Sequence, residues 1–119
     1  MATKETVEAY MAAWNEKDEA KRTKLLDKCW ADAGTYTDPM SDVAGREQLA
    51  ALIGQFRQQM PGASLAFTSG VDEHHGRIRF GWKVVDGPQP LEGIDVGRIS
   101  SDGRLESIIG FWGANPAAG

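Results

Sequence analysis

The spacing of apolar residues changes once along the chain, near residue 64, and this change constrains the fold more than any other feature. Before it, apolar side chains recur every three or four residues, the period of an amphipathic helix. The first such stripe consists of Val7, Tyr10, Met11 and Trp14. After residue 64 the apolar residues alternate with polar ones, which is typical of strands with one buried face. We therefore expect helices first and a sheet afterwards.

The first half of the chain predicts three helices and one short strand. The first helix spans residues 3–17, and a second short helix carries the Leu25, Leu26, Cys29 and Trp30 side chains and ends near Gly34. The segment TYTDP is a short strand stopped by Pro39, which supplies no donor to a sheet, and MSDVAG follows as a loop. A third helix carries an apolar stripe of Leu49, Leu52, Ile53, Phe56 and Met60.

The second half predicts four strands, in the segments SLAFTSGV, GRIRFGWKVV, LEGIDVGRIS and RLESIIGFW. The connections EHHG, DGPQP and SSDG have the composition of turns. Helices gathered before a run of strands indicate an α+β domain, in which three N-terminal helices pack on one face of a curved, mostly antiparallel sheet. We expect one domain over residues 1–119, with a loose tail from about residue 114.

Composition and charge exclude several classes of partner and site. The net charge of −4 provides no basic surface for nucleic acid or for an anionic membrane. We find no apolar run of the length of a membrane span and no signal-peptide pattern in MATKETVEAY. Cys29 is the only cysteine, so a reducing cytoplasm is the expected location. His74 and His75 are adjacent and have no spaced second cluster, so we expect no metal site.

Asp95 is an acidic residue flanked by Ile94 and Val96 inside a predicted strand. Alternation places it on the same face as Gly93 and Gly97, which would leave open space for a ligand beside it. An ionised carboxylate in apolar surroundings is costly unless water, a partner or a shifted pKa relieves it. The direction of this side chain is therefore informative about function.

Two directions are open to Asp95. If it pointed outward, it would pair with Arg79 or Arg98 at the surface. We expect it to point inward and to be protonated at neutral pH, because burial raises the pKa of a carboxyl group.

Three segments resemble the nuclear transport factor 2-like or SnoaL-like superfamily, and among its members ketosteroid isomerase in particular. They are EAYMAAWNEKD, GTYTDPMSDVAGREQLAAL and GIDVGRISSDGRLESIIGFW. The resemblance extends from the first helix to Trp112 and implies a cone-shaped cystatin-like roll. It also implies that Tyr10 is an oxyanion-hole donor, that Asp38 is the general base, and that Asp95 is the second oxyanion donor.

The same resemblance implies a small apolar ligand in the cone and no metal or organic cofactor. The side chains expected to contact this ligand are Trp14, Trp30, Ile53, Phe56, Phe80, Trp82, Ile108 and Trp112. Trp30 and Ile53 stand where the isomerase has tyrosines that support its oxyanion donor. Only Trp30 of the two has a side-chain N–H to donate, so the supporting hydrogen-bond network is reduced.

The resulting hypothesis is an isomerase-like enzyme that shifts a proton α to a carbonyl in a steroid-like or polycyclic substrate. One alternative is a cyclase, dehydratase or hydrolase on the same fold, because one fold can support several chemistries. Another is a non-catalytic protein that binds a small hydrophobic ligand. We also expect a homodimer formed through the sheet, because Ile94 and Val96 give the outward face of the strand an apolar character.

Overall fold

The structure, a computed structural model, describes residues 2–119 and contains three helices and seven strands. The helices are α1 (Thr3–Asn15), α2 (Glu19–Cys29) and α3 (Arg46–Gln59). The strands are β1 (Trp30–Asp38), β2 (Ser41–Ala44), β3 (Ser64–Phe67), β4 (Asp72–His74), β5 (Arg77–Val85), β6 (Glu92–Ile99) and β7 (Leu105–Trp112). Residues 113–119 form no helix or strand and are exposed.

All seven strands belong to one open sheet in the order β2-β1-β7-β6-β5-β3, with β4 also paired to β5. Every pairing is antiparallel except that of β1 with β7, which is parallel. The parallel pair brings the first strand of the chain beside the last. The mixed, mostly antiparallel sheet with three helices packed on it confirms the predicted fold class.

The core lies between the helices and one face of the sheet. The predicted stripe of α1 is buried, and so are Leu49 and Ile53 of α3. On β5 the alternation of the sequence is reproduced, with Ile78, Phe80, Trp82 and Val84 buried. The apolar period of each element therefore matches the face that it buries.

The connections hold α1 at a fixed position over the sheet. Asp18 caps α2 by accepting hydrogen bonds from the backbone N–H groups of Ala20 and Lys21. Asn15, the last residue of α1, bonds both the N–H and the C=O of Leu65 in β3, at 2.7 and 2.9 Å. As a result, the C-terminal end of α1 is tied to the edge strand of the sheet.

The structure corrects the predicted end of the second helix. The α2 helix ends at Cys29, and Trp30 begins a strand of nine residues in place of the short strand TYTDP. A Cβ on Gly34 would lie 2.5 Å from the Trp30 indole nitrogen, so the absence of a side chain there lets the indole pack against the strand. The pairing with β7 is irregular between Trp30 and Thr35, where this packing occurs.

Two further strands lie where the sequence predicts a loop and a turn. The predicted loop MSDVAG contains β2, which pairs with β1. The predicted turn EHHG is shorter than expected, because His75 and Gly76 alone form it, both with positive φ, as in a two-residue hairpin. Residues Asp72–His74 are thereby free to pair with β5 as β4, and the predicted strand 64–71 ends at Phe67.

Candidate active site

A cavity of about 490 Å³ opens between the helices and the buried face of the sheet. Its volume lies within the range of small-molecule sites, which is roughly 300–1,000 Å³. Its apolar lining comprises Met11, Trp14, Met40, Leu52, Phe56, Met60, Leu65, Trp82, Val84, Leu91 and Trp112. Its polar lining comprises Tyr10, Tyr36, Asp38, Ser41, Gln55, Gln59 and Asp95. The cavity therefore combines apolar walls with a small set of ionisable and hydroxyl groups.

Asp38 ends β1 and is held by two donors. The Tyr36 hydroxyl donates to its Oδ2 at 2.7 Å, and the backbone N–H of Met40 donates to its Oδ1 at 2.8 Å. The second contact closes the turn between β1 and β2, as an aspartate before proline commonly does. Each carboxylate oxygen keeps a further lone pair that can accept a proton. Asp38 is thus both a turn-forming residue and a group at the cavity surface.

Asp95 faces the cavity and is only 6% exposed, so its inward direction is as expected. On the sheet it lies opposite Phe80 of β5 and Gly110 of β7. A Cβ on Gly110 would lie 2.9 Å from Asp95 Oδ1 and 3.6 Å from the Cβ of Asp38. The absence of a side chain at Gly110 therefore allows the Asp95 carboxyl group to lie on the sheet between β5 and β1.

The environment of Asp95 raises its pKa to about 7. The main cause is burial, which removes water from the ionised form, and the nearby charge of Asp38 acts in the same direction. The Trp82 indole N–H, which donates to Asp95 Oδ1 at 3.0 Å, opposes them by stabilising the ionised carboxylate. A pKa near 7 keeps the protonated form, which the sequence predicts, accessible at neutral pH.

The surface partners that the outward alternative assigned to Asp95 are engaged elsewhere. Arg79 pairs with Asp72 at 2.8 Å, and Arg98 pairs with Glu106 at 3.4 Å.

Tyr10 lines the cavity from α1 and is 2% exposed. Its ring stacks on Trp30 at a centroid distance of 5.6 Å and meets Trp14 edge-on at 6.5 Å. Burial is the main cause that raises the pKa of Tyr10, followed by the charge of Asp95. The hydroxyl is consequently neutral. It has no hydrogen-bond acceptor within residues 2–119 and is free to donate to a ligand.

The structure divides the residues predicted to contact a ligand into two groups. Trp14, Phe56, Trp82 and Trp112 line the cavity. The other four, Trp30, Ile53, Phe80 and Ile108, are buried in the core outside the cavity lining. Trp30 illustrates the reason, because it lies behind the ring of Tyr10 and supports it instead of reaching the cavity.

Tyr36 is a cavity residue that the sequence reasoning missed. It is 7% exposed, and burial followed by its hydrogen bond to Asp38 raises its pKa, so its hydroxyl is neutral. The signal was present in the sequence, because Tyr36 and Asp38 are two positions apart in a strand and so share a face. Both residues lie in the predicted strand TYTDP, so recognising Tyr36 required only knowing which face of that strand is buried.

The two glycines beside Asp95 do not provide the open space that was expected of them. A Cβ on Gly93 would lie 2.9 Å from the Trp82 ring and 3.1 Å from the Phe111 carbonyl carbon. A Cβ on Gly97 would lie 2.9 Å from the Cδ1 atom of Ile108. The space over both glycines is thus filled by the protein itself.

A larger groove, of about 1,050 Å³, runs along the outside of α2 and α3. Arg22 and Arg57 in this groove donate to backbone carbonyls, Arg22 to Glu16 and Arg57 to Trp14. Because these carbonyls end α1, where the helix dipole is negative, the two arginines have a structural role. Unlike the cavity, the groove has no aromatic residue in its lining.

Metal-binding groups and membrane-spanning helices are absent from residues 2–119. No three His, Cys, Asp or Glu side chains there form a group that could hold a metal ion. No helix in the same range is long and apolar enough to cross a lipid bilayer.

Comparison with known proteins gives consistent matches over nearly the whole chain. The sequence model of the SnoaL-like domain matches residues 7–108. A solved structure of a candidate isomerase of the SnoaL-like family from Agrobacterium tumefaciens is 32% identical, with 96% of this chain and 100% of that chain covered and a TM-score of 0.87.

Two more distant structures share the fold. A nuclear transport factor 2-like protein from an Exiguobacterium species is 16% identical, with a TM-score of 0.76 over 92% of this chain and 99% of that one. A candidate ketosteroid isomerase from Kribbella flavida is 19% identical, with a TM-score of 0.70 over 98% of this chain and 83% of that one. The family match and the 32% identical relative together establish that the protein belongs to the SnoaL-like family.

Proposed function

We propose that the protein is a cofactor-independent enzyme that moves a proton from the carbon next to a carbonyl group to another carbon of the same ligand. One observation carries the proposal: Asp38, Tyr10 and Asp95 converge on one apolar cavity. They supply a carboxylate that can take a proton and two hydroxyl-type donors that can bind an oxygen. Proton abstraction next to a carbonyl needs these two kinds of group.

In the proposed reaction, Asp38 accepts the proton as the C–H bond breaks, and the electron pair moves onto the carbonyl oxygen to give an enolate. The Tyr10 hydroxyl and the protonated form of Asp95 donate hydrogen bonds to this oxygen. They stabilise the charge that develops there, in a site where little water competes. Asp38 then returns the same proton to a different carbon of the conjugated system, so that the atoms balance and no other reactant is consumed.

The walls of the cavity favour a ligand with a large apolar body, such as a steroid or another polycyclic ketone. Most of the lining consists of aromatic and aliphatic side chains, which contribute to binding by excluding water from apolar surface. The descriptions of the Agrobacterium and Kribbella proteins as candidate isomerases agree with this reaction type.

A non-catalytic ligand-binding protein is the second candidate, and the contact between Tyr36 and Asp38 favours it. The Tyr36 hydroxyl occupies a lone pair of Asp38 Oδ2 and the Met40 N–H occupies one of Oδ1, so fewer lone pairs can accept a proton from a ligand. If this effect dominates, the cavity binds a carbonyl compound without moving its proton.

Turnover of a 3-keto-Δ5-steroid, followed by the absorbance of the conjugated product, separates the two candidates. We expect turnover in the wild-type protein and a loss of about 10²–10⁴ in rate in Asp38→Asn, which removes the base but keeps the shape of the side chain. Binding of the conjugated product to the same variant should change little. Asp42→Asn is the matched control, because its exposed carboxylate lies outside the cavity on the neighbouring strand.

Product binding without turnover would leave the binding protein as the better description. Equal turnover in the wild type and in Asp38→Asn would show that another group is the base.

A further inference from the structure

Trp82 and Asp95 form a buried hydrogen bond between neighbouring strands of the sheet. The Trp82 indole N–H donates to Asp95 Oδ1 at 3.0 Å, and the two residues are 8% and 6% exposed. Trp82 pairs with Gly93 in the sheet, so its ring reaches diagonally along β6 to the carboxyl group. Both side chains also line the cavity. The Asp95 carboxyl group is therefore hydrogen-bonded to the Trp82 indole even without a ligand in the cavity.

This contact makes the two oxygens of Asp95 unequal. A protonated carboxyl group has one O–H donor and one carbonyl oxygen, and the carbonyl oxygen is the better acceptor for the indole N–H. Oδ1 also lies over β7, since a Cβ on Gly110 would be 2.9 Å from it. Oδ2, in contrast, has no hydrogen-bond partner in the part of the chain that the structure describes. The proton is thus best placed on Oδ2.

We infer that Trp82 is a positioning residue that fixes the Asp95 proton on Oδ2 and so directs the O–H donor toward the ligand oxygen. The inference rests on the proposed function, in which Asp95 is an oxyanion donor. Neither the resemblance of the sequence segments nor the lining of the cavity assigns this role to Trp82. The hydrogen-bond network that supports Tyr10 is reduced, and Trp82 compensates for this by orienting Asp95, the second donor.

The same hydrogen bond limits the pH range over which Asp95 can donate. Three other ionisable groups face the cavity near Asp95, namely Tyr10 from α1 and Tyr36 and Asp38 from β1. The two tyrosines are neutral because burial raises the pKa of each. The Asp38 charge disfavours ionisation of Asp95, whereas the Trp82 N–H favours it. Removing the indole N–H should therefore keep Asp95 protonated to a higher pH.

Trp82→Phe tests the inference through the carboxyl carbon NMR titration of Asp95 in the ligand-free protein. We expect the midpoint to rise above its wild-type value. Affinity for a 3-keto-Δ4-steroid, which has no ionisable proton of its own, should fall about tenfold at pH 5.5 because the donor is no longer oriented. The alkaline limit of steroid binding should move to higher pH by the same amount as the midpoint.

Trp112→Phe is the matched control, because it exchanges an indole for a phenyl ring in the same cavity. No hydrogen bond joins Trp112 to Asp95 within residues 2–119, so the Asp95 midpoint should stay at its wild-type value. An unchanged midpoint in Trp82→Phe, or an equal shift in both variants, would overturn the inference.

A second measurement needs no destabilising substitution. In the wild-type protein the indole N–H resonance of Trp82 should titrate with the midpoint of the Asp95 carboxyl, and Asp95→Asn should abolish this titration. If the indole N–H resonance does not shift as Asp95 titrates, the inference is overturned.

Failure of the proposed function gives a different pattern. If the wild-type Asp95 midpoint lies near 4, the donor role of Asp95 fails and the positioning role fails with it. A different result is a raised Asp95 midpoint, with a Trp82 indole resonance that titrates with it, but no steroid binding at any pH. The hydrogen bond between Trp82 and Asp95 would then stand, and the proposed substrate class would fail.

Discussion

Burial of the Asp95 carboxyl makes the stability of the protein depend on pH. Its folded-state pKa of about 7 lies above the ordinary value of 3.8, so between these values the native state holds a proton that the unfolded chain releases. The contribution of this group to stability is full below the unfolded pKa. It decreases as the pH rises through the folded pKa, and it changes no further above that value.

We expect the titration of Asp95 to lower the free energy of unfolding of the wild type by about 3 kcal/mol between pH 5 and pH 8. Asp95→Asn, which is neutral at every pH, should lose this dependence and be more stable than the wild type at pH 8. Urea denaturation at the two pH values measures both effects. Asp42→Asn should retain the wild-type pH dependence. If Asp95→Asn follows the wild-type curve, the carboxyl group is not buried in solution.

Gly110 of strand β7 shapes the site because it has no side chain. Gly110 lies between Asp95 on β6 and Asp38 on β1, and a Cβ there would approach Asp95 Oδ1 at 2.9 Å. Gly110→Ala should displace the Asp95 carboxyl from the indole of Trp82, since the neighbouring strand backbones cannot separate to make room.

The expected result for Gly110→Ala is a loss of about tenfold in steroid affinity with a destabilisation of about 1–3 kcal/mol. Ligand titration and urea denaturation of the same preparation distinguish the two effects. Gly70→Ala is the control, because an added Cβ there meets no atom within 4 Å. Unchanged affinity in Gly110→Ala would mean that the sheet yields at this point and that the position of Asp95 does not depend on it.

Long elements with a clear apolar period were predictable from the sequence, and short polar ones were not. The α1 and α3 stripes and the alternation of β5 determine which faces are buried. Strands β2 and β4, with the sequences SDVA and DEH, carry no such pattern and exist because the turns beside them bring their backbones to a neighbouring strand.

The cavity lining was predictable only in part for a related reason. Phe80 and Trp82 share a strand face, yet only Trp82 reaches the cavity. Phe80 packs against Phe67 of β3 instead, at a centroid distance of 5.6 Å. This difference is set by tertiary packing, and no local property of the two residues records it.

At the scale of the whole molecule, the outer face of β6 and β7 carries an exposed apolar patch. Ile94, Ile109 and Phe111 are 45%, 44% and 56% exposed, and Ile94 lies directly opposite Phe111 on adjacent strands. This face is the side of β6 and β7 opposite the cavity. We propose that a second copy of the chain covers it, because exposed apolar surface of this kind marks an interaction site and a copy would leave each cavity open.

Sedimentation of the wild type at micromolar concentration should give a particle of twice 12.9 kDa. Phe111→Lys should give a monomer of unchanged helix content, because a charge in an isologous interface meets its own copy or is buried without a partner. Glu8→Gln, which changes the charge by the same amount on an exposed position of α1, should remain a dimer. A wild-type monomer at this concentration would contradict the proposal.

The parallel pairing of β1 with β7 has a consequence for how the protein is made. The strand that carries Asp38 is synthesised before strands β2 to β6, and its neighbour in the sheet, residues Leu105–Trp112, is synthesised after them. The hairpins of β5 and β6 can form locally, whereas β1 must wait for a partner about seventy residues away and must close that long loop first. Asp38 and Asp95 therefore come together only after β7 has been synthesised, and a nascent chain interrupted before β7 lacks the strand that joins β1 to β6.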